Sequence, residues 1–149
     1  DYVLVGGVGG TVKSVSIVAT TVTTPDNQII VIPNKNVWGN VITNVTASDT
    51  RRVDLVFGIA YEDSLPDALA ILERVVHAHP ATLEEPEPVI RVHQLADSSV
   101  NFICRPWVKT EDYWTVHWDL THQVKEAFDA DGISIPYPQR DIHIKTQAG

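Results

Sequence analysis

The sequence has no methionine and a single cysteine, Cys104, so no disulfide can close within the chain and a reducing compartment is predicted. No apolar run approaches the roughly 20 residues that a membrane-crossing helix requires, and no charged-then-apolar leader is present. Asp1 in first place, together with the absence of methionine, predicts a piece of a longer protein. Positive charge is also scarce: 11 Lys and Arg against 19 Asp and Glu leave a net charge of −8. Nucleic-acid binders draw affinity from neutralising phosphates, so no nucleic-acid partner is expected. The acid is unevenly spread, because residues 1–49 hold only Asp1, Asp26 and Asp49 against Lys13 and Lys35.

What is present is globular in kind. A hydrophobic fraction of 44% in 149 residues suits one ordinary domain or two small ones. The stretch 24–44, TPDNQIIVIPNKNVWGNVITN, organises the first part. Pro25-Asp26-Asn27 is a turn in which Pro presets φ while Asp and Asn accept left-handed geometry, so a hairpin is predicted around it. Ile29 to Ile32 is an unbroken β-branched run closed by Pro33, which predicts a strand buried on both faces and therefore a cover from outside this small segment. Before it, residues 1–5 and the β-branched run 11–22 read as two strands around the glycine corner 6–10. Val41 to Val45 reads as a last short strand, giving about five in all. A phosphate-binding loop is excluded there: Gly7 and Lys13 have the right separation, but Val12 replaces the glycine before the lysine and the segment leads into a strand.

From Arg51 the pattern changes. Residues 51–61 alternate as a strand, with Val53, Leu55 and Phe57 on one side and Arg52, Asp54 and Val56 on the other. Ser64 and Pro66 start a helix whose apolar stripe runs through Leu65, Leu69, Leu72 and Val76, flanked by Ala68 and Val75, to His79 and Pro80. After the acidic connector 84–88, residues 89–95 and 100–108 read as a strand pair. Thr110 caps a second helix with Tyr113, Val116, His117, Leu120, Val124 and Phe128 inward, and Asp131-Gly132 ends it. Residues 141–145 alternate as a final strand. Strand, helix, strand, strand, helix, strand is the ferredoxin-like order, an α+β arrangement that hosts many functions.

No catalytic constellation is visible, and the protein is not expected to be an enzyme or to carry a cofactor. His77, His79, His93, His117, His122 and His143 lack ligand spacing on any helix face, so no metal is expected. Cys104, between Ile103 and Arg105, reads as a buried inert thiol. Adjacent carboxylates such as Glu84-Glu85 diverge and do not make an acid–base pair. Of the four tryptophans, Trp107, Trp114 and Trp118 gather around the second helix, which suits either core packing or a subunit contact.

The segments VGGVGGTVKSVSI, TPDNQIIVIPN, GNVITN, RRVDLVFGIAYEDS, RPWVKTEDYW and GISIPYPQRDIHIK together resemble the soluble cytoplasmic region of small-conductance mechanosensitive channels, the MscS family. The likeness runs through essentially the whole chain, with departures at Lys35, Asn36 and Val45. The resemblance implies an Sm-like β-barrel over residues 1–49 and a ferredoxin-like α/β domain over 50–138. Residues 139–149 would give one strand of a barrel between subunits. It also implies a homoheptamer beneath its own transmembrane pore helices, on the cytoplasmic side of the bacterial inner membrane, passing ions and small solutes through side portals. Asp54 and Glu87 would line portals, and Asn34 and Lys35 would touch the pore helix. An Sm-like nucleic-acid module and a soluble small-molecule sensor stay open beside this reading.

Overall fold

A computed structural model describes residues 1–147 and divides the chain into two compact units, Asp1–Asp49 and Thr50–Gly149. Both mix strands and helices, and every strand pairing is antiparallel, so the protein is a mixed α+β structure.

The first unit holds β1 (Tyr2–Val5), β2 (Val8–Val15), β3 (Ala19–Thr23), β4 (Ile29–Pro33), α1 (Asn34–Trp38) and β5 (Ile42–Asn44). They form one sheet in the order β4-β3-β2-β1-β5, leaving β4 and β5 at its edges. Gly6 and Gly7, at φ of 55° and 81°, make the two-residue turn that joins β1 to β2. Two successive left-handed residues match the natural twist of a hairpin. Gly10 is needed for a different reason, since a Cβ there would lie 2.3 Å from a Val22 methyl. The hairpin between β3 and β4 forms where expected. Asn27 takes a φ of 66°, and Thr24 Oγ1 accepts from the Gln28 amide at 2.9 Å.

Three expectations for this unit are corrected. The run 11–22 is two strands, because Ser16 folds the chain back: its amide donates to the Ala19 carbonyl at 2.8 Å and its hydroxyl accepts from the Ala19 amide at 3.1 Å. A continuous β-branched run conceals a turn made by one serine. The second correction is that β4 is not buried on both faces: Ile29 and Val31 are 60% and 62% exposed while Ile30 and Ile32 are half-buried. An edge strand on an uncovered sheet alternates in this way. The third is α1, which follows Pro33 directly where no helix was expected. The buried apolar side chains of the unit are Val3, Val5 and Val22.

The second unit holds β6 (Thr50–Arg52), β7 (Leu55–Ile59), α2 (Leu65–Ala78), β8 (Val89–Leu95), β9 (Val100–Arg105), β10 (Trp107–Lys109) and α3 (Tyr113–Ala130). β7-β9-β8 form a three-stranded sheet, and β6 pairs with β10. These two ladders keep one register, with Leu55 opposite Cys104 and Arg52 opposite Trp107. The expected strands 51–61 and 100–108 are thus one ribbon interrupted at Pro106, whose nitrogen has no proton to return when Val53 N–H donates to its carbonyl at 2.8 Å.

Ser64 caps α2, accepting from the Asp67 amide at 3.3 Å, and Pro66 sits in the first turn. The buried stripe is Ala68, Ile71, Leu72, Val75 and Val76, which adds Ile71 to the expected positions, while Leu69 is half-buried and Leu65 stays 39% exposed. α3 begins two residues later than expected, at Tyr113 after the 3-10 turn Thr110–Asp112, and is followed by Gly132 with φ of 74°. Val116, Leu120, Val124 and Phe128 of α3 meet α2 and the inward side of the sheet, Leu55, Ile59, Phe102 and Cys104, in one continuous core. Phe57 and Phe128 pack edge to face at 6.4 Å.

The final strand expected at 141–145 is not formed within the chain: residues 133–147 have no regular secondary structure. Ile133 is buried, Ser134 accepts from the Ala60 amide at 3.0 Å, and the Gln139 amide donates to Ser98 Oγ at 3.0 Å. Beyond these anchors Ile142 and Ile144 are 80% and 88% exposed. A strand exists by pairing, and no partner is offered here by the described part of the chain. Residues 148 and 149, the end of the segment 139–149 expected to give a barrel strand, lie outside the described residues.

Candidate functional site

Both acids expected at portals stand at one end of the three-stranded sheet. β7 and β8 run the same way against β9, so Asp54, just before Leu55, and Glu87, two residues before the Val89 that faces Arg105, mark the same end. Glu87 is exposed. Asp54 is engaged: Arg52 Nε and Nη2 donate to its two oxygens at 2.6 and 3.1 Å, and Arg105 Nε lies 3.9 Å from Oδ1. The carboxylate bonded to Arg52 holds that guanidinium's pKa above its ordinary value, through the hydrogen bond first and charge attraction second. The signal for this clamp lay in the sequence, since period-two alternation puts Arg52 and Asp54 on one side of the ribbon.

The residues expected to touch a pore helix differ in role. Asn34 turns inward: its Nδ2 donates to the Ser16 and Ile17 carbonyls at 2.8 and 3.0 Å, and its Oδ1 accepts from Thr20 Oγ1 at 2.9 Å. It ties the turn after β2 to the start of α1. Lys35 beside it is exposed. A concavity of about 610 Å³ opens next to them, lined by Val15, Ile17, Val37, Trp38 and Ile42 among others. Its rim is apolar, with Ile17 97% and Trp38 88% exposed.

The core-packing alternative for the tryptophans is overturned, because Trp114 and Trp118 are 55% and 64% exposed. They stack one turn apart on α3 with centroids 5.7 Å apart, and Tyr113 meets Trp114 edge-on at 5.1 Å. Arg51 lies 3.7 Å over the Tyr113 ring, a cation–π contact that joins β6 to the start of α3.

The groups that could carry reaction chemistry are accounted for by structure. Cys104 is fully buried, and desolvation pushes its thiol up to about 12, far from a usable thiolate. His79, 6% exposed at its side chain, accepts from the Ala81 amide at Nδ1 (3.1 Å), so its Nε2 carries the proton toward Asp119 Oδ2 at 2.8 Å. That pair, which spacing alone did not reveal, links the end of α2 to α3. Among the described residues no three His, Cys, Asp or Glu side chains gather to hold a metal ion, and no helix is long and apolar enough to cross a membrane.

Two family profiles match the chain. That described as "Mechanosensitive ion channel, beta-domain" matches residues 1–47, and "Mechanosensitive ion channel MscS, C-terminal" matches residues 53–135. An uncharacterised MscS family protein of Synechocystis is 43% identical over 97% of this chain and 49% of its own length. A small-conductance mechanosensitive channel of Edwardsiella ictaluri is 39% identical over 97% of this chain and 50% of its own length. The chain therefore spans about half the length of the curated relatives it matches. Among solved structures, the closed state of Helicobacter pylori MscS superposes with a TM-score of 0.91 at 28% identity, covering 99% of this chain and 58% of that one.

Proposed function

The chain belongs to the mechanosensitive ion channel MscS family, and from that premise we propose that it builds the cytoplasmic vestibule of such a channel. The observation that carries the reading is the match along 97% of this chain to half of a longer relative, combined with apolar surface that the chain itself leaves uncovered. In this reading the first unit is an Sm-like barrel completed by neighbouring copies in a homoheptamer. The second is a ferredoxin-like wall, and residues 139–149 contribute a strand to a barrel between subunits. The uncovered side of β4 and the concavity ringed by Ile17 and Trp38 suit the base of the pore helices, with Lys35 at that contact and Asn34 holding the turn that presents it. The indole pair on α3 suits a subunit contact, where aromatic side chains are enriched. Asp54 and Glu87 would flank side portals through which ions and small solutes leave after a fall in external osmolarity, on the cytoplasmic side of the bacterial inner membrane.

The test is functional. The full-length protein, expressed in cells deprived of their own tension-gated channels, is expected to restore survival of osmotic downshock and to give tension-activated currents in excised patches. Currents that ignore tension, or no currents from protein that reaches the membrane, would overturn the proposal.

A further inference from the structure

The sheet β7-β9-β8 has helices on one side only. Leu55, Ile59, Phe102 and Cys104 point into the core, so their alternating neighbours Arg52, Asp54, Arg91 and Arg105 share the helix-free side of the ribbon and sheet. There Val56, Ile103 and Arg91 make one cross-strand row, and Arg105 stands one diagonal step from Arg91. Ile103 is 7% exposed although it is no member of the core, which places neighbouring side chains over it. Long guanidinium stems lie over an apolar residue in this way while their heads stay in water.

Charge on this side opposes that of the molecule. Three guanidinium groups stand there with Asp54, and Glu87 lies at the same end of the sheet, in a chain whose net charge is −8. Arg52 already engages both oxygens of Asp54, leaving Arg105 at 3.9 Å, beyond hydrogen-bonding distance. Among the described residues Arg91 forms no ion pair and is exposed. An unoccupied guanidinium fork is a match for two oxygens of a carboxylate or phosphate.

We infer that the helix-free side of this sheet is a binding surface for small oxyanions, with Arg91 and Arg105 as the donors. Asp54 is their positioning residue, an internal counter-ion that holds Arg52 beside the pair and does not present an acidic field to solutes. The surface exists whether or not the chain frames a pore; its bearing on permeation rests on the vestibule reading, in which it would favour anions.

The test uses the 149-residue chain. The Nε–Hε resonances of its arginines are followed while acetate, or separately inorganic phosphate, replaces chloride at constant ionic strength. Arg91 and Arg105 are expected to shift saturably while Arg74 on α2 does not. Arg91→Gln should weaken binding about tenfold, and Arg91→Lys, which keeps the charge and loses the fork, by less. Saturation with phosphate alone, or with acetate alone, supports the site and names its preferred oxyanion. Linear shifts equal at Arg91 and Arg74, or an Arg91→Gln chain that binds as before, would overturn it. In the full-length channel, Arg91→Gln should lower the anion-to-cation permeability ratio. Saturable binding with an unchanged ratio sustains the surface and counts against the portal reading instead.

Discussion

The two units solve the problem of folding in opposite ways. The second closes a continuous core, from Val53 through Phe102 and Leu120 to Ile133, beneath two helices. The first has a five-stranded sheet but buries only Val3, Val5 and Val22 among its apolar side chains, and leaves Ile17, Ile29, Val31 and Trp38 in water. Secondary structure is equally regular in both, so regular hydrogen bonding is not what separates them. Buried apolar area is, at roughly 25 cal/mol per Å² removed from water. A segment of about 50 residues with so little core is marginal alone, and its surplus of exposed apolar groups reads as surface reserved for a neighbour.

The sharpest way to break this contrast is to separate the halves. Residues 50–149 expressed alone are expected to unfold in one cooperative urea transition, whereas residues 1–49 should show none; a cooperative transition in the shorter piece would remove the distinction. Within the second unit, Phe128→Ala should cost about 3–5 kcal/mol, because Phe128 is fully buried and packs on Phe57. Chemical denaturation read by fluorescence measures it. Gly10→Ala in the first unit forces a methyl against Val22 and the Thr23 carbonyl. About 1–3 kcal/mol of strain is expected, visible as lost amide protection along β2 and β3 and not in the second unit. His79→Ala, which removes the Asp119 and Ala81 bonds, should cost about 1–3 kcal/mol and loosen the turn after α2 without altering the sheet. The smallest effect concerns Cys104. Its thiol pKa is raised from 9.0 to about 12 by burial, so the folded state holds its proton longer than the unfolded chain does. Its contribution to stability is complete below pH 9 and declines as pH rises from there toward 12. At neutral pH Cys104→Ser should leave the pH dependence unchanged, and iodoacetamide should modify the native thiol only under denaturing conditions.

The second unit was the more legible in sequence because it satisfies its own pattern: Ser64 with Pro66 starts a helix, Gly132 stops one, and Val116, Leu120, Val124 and Phe128 fall on the buried side. The first unit misled where a pattern depends on what lies outside the chain. Ile29 to Ile32 has the composition of a doubly covered strand, and composition cannot say who supplies the cover. Ile142 and Ile144 alternate as a strand does, yet strand pairing is a property of two segments and only one is present. The candidate site divides in the same manner. Asp54 and Glu87 were singled out in the sequence, and that they share one end of the sheet follows from register. The Arg52–Asp54 pair follows from strand alternation, whereas the approach of Arg105 to Asp54 and the bond from His79 to Asp119 depend on three-dimensional distance, which spacing along the chain does not encode. Asn34 was expected at an outward contact, but an amide that both donates and accepts is well suited to tie two turns together, and it does so.

The missing proton on Pro106 has one more effect. Thr50 to Ile59 and Val100 to Lys109 make a single long ribbon, and at the Val53–Pro106 rung one strand donates while the other cannot answer. That rung is held by a single hydrogen bond and by the packing of two buried side chains. Asp54, next in the chain to Val53, therefore takes its position from the packed interior, and with it the spacing of the two arginines beside it.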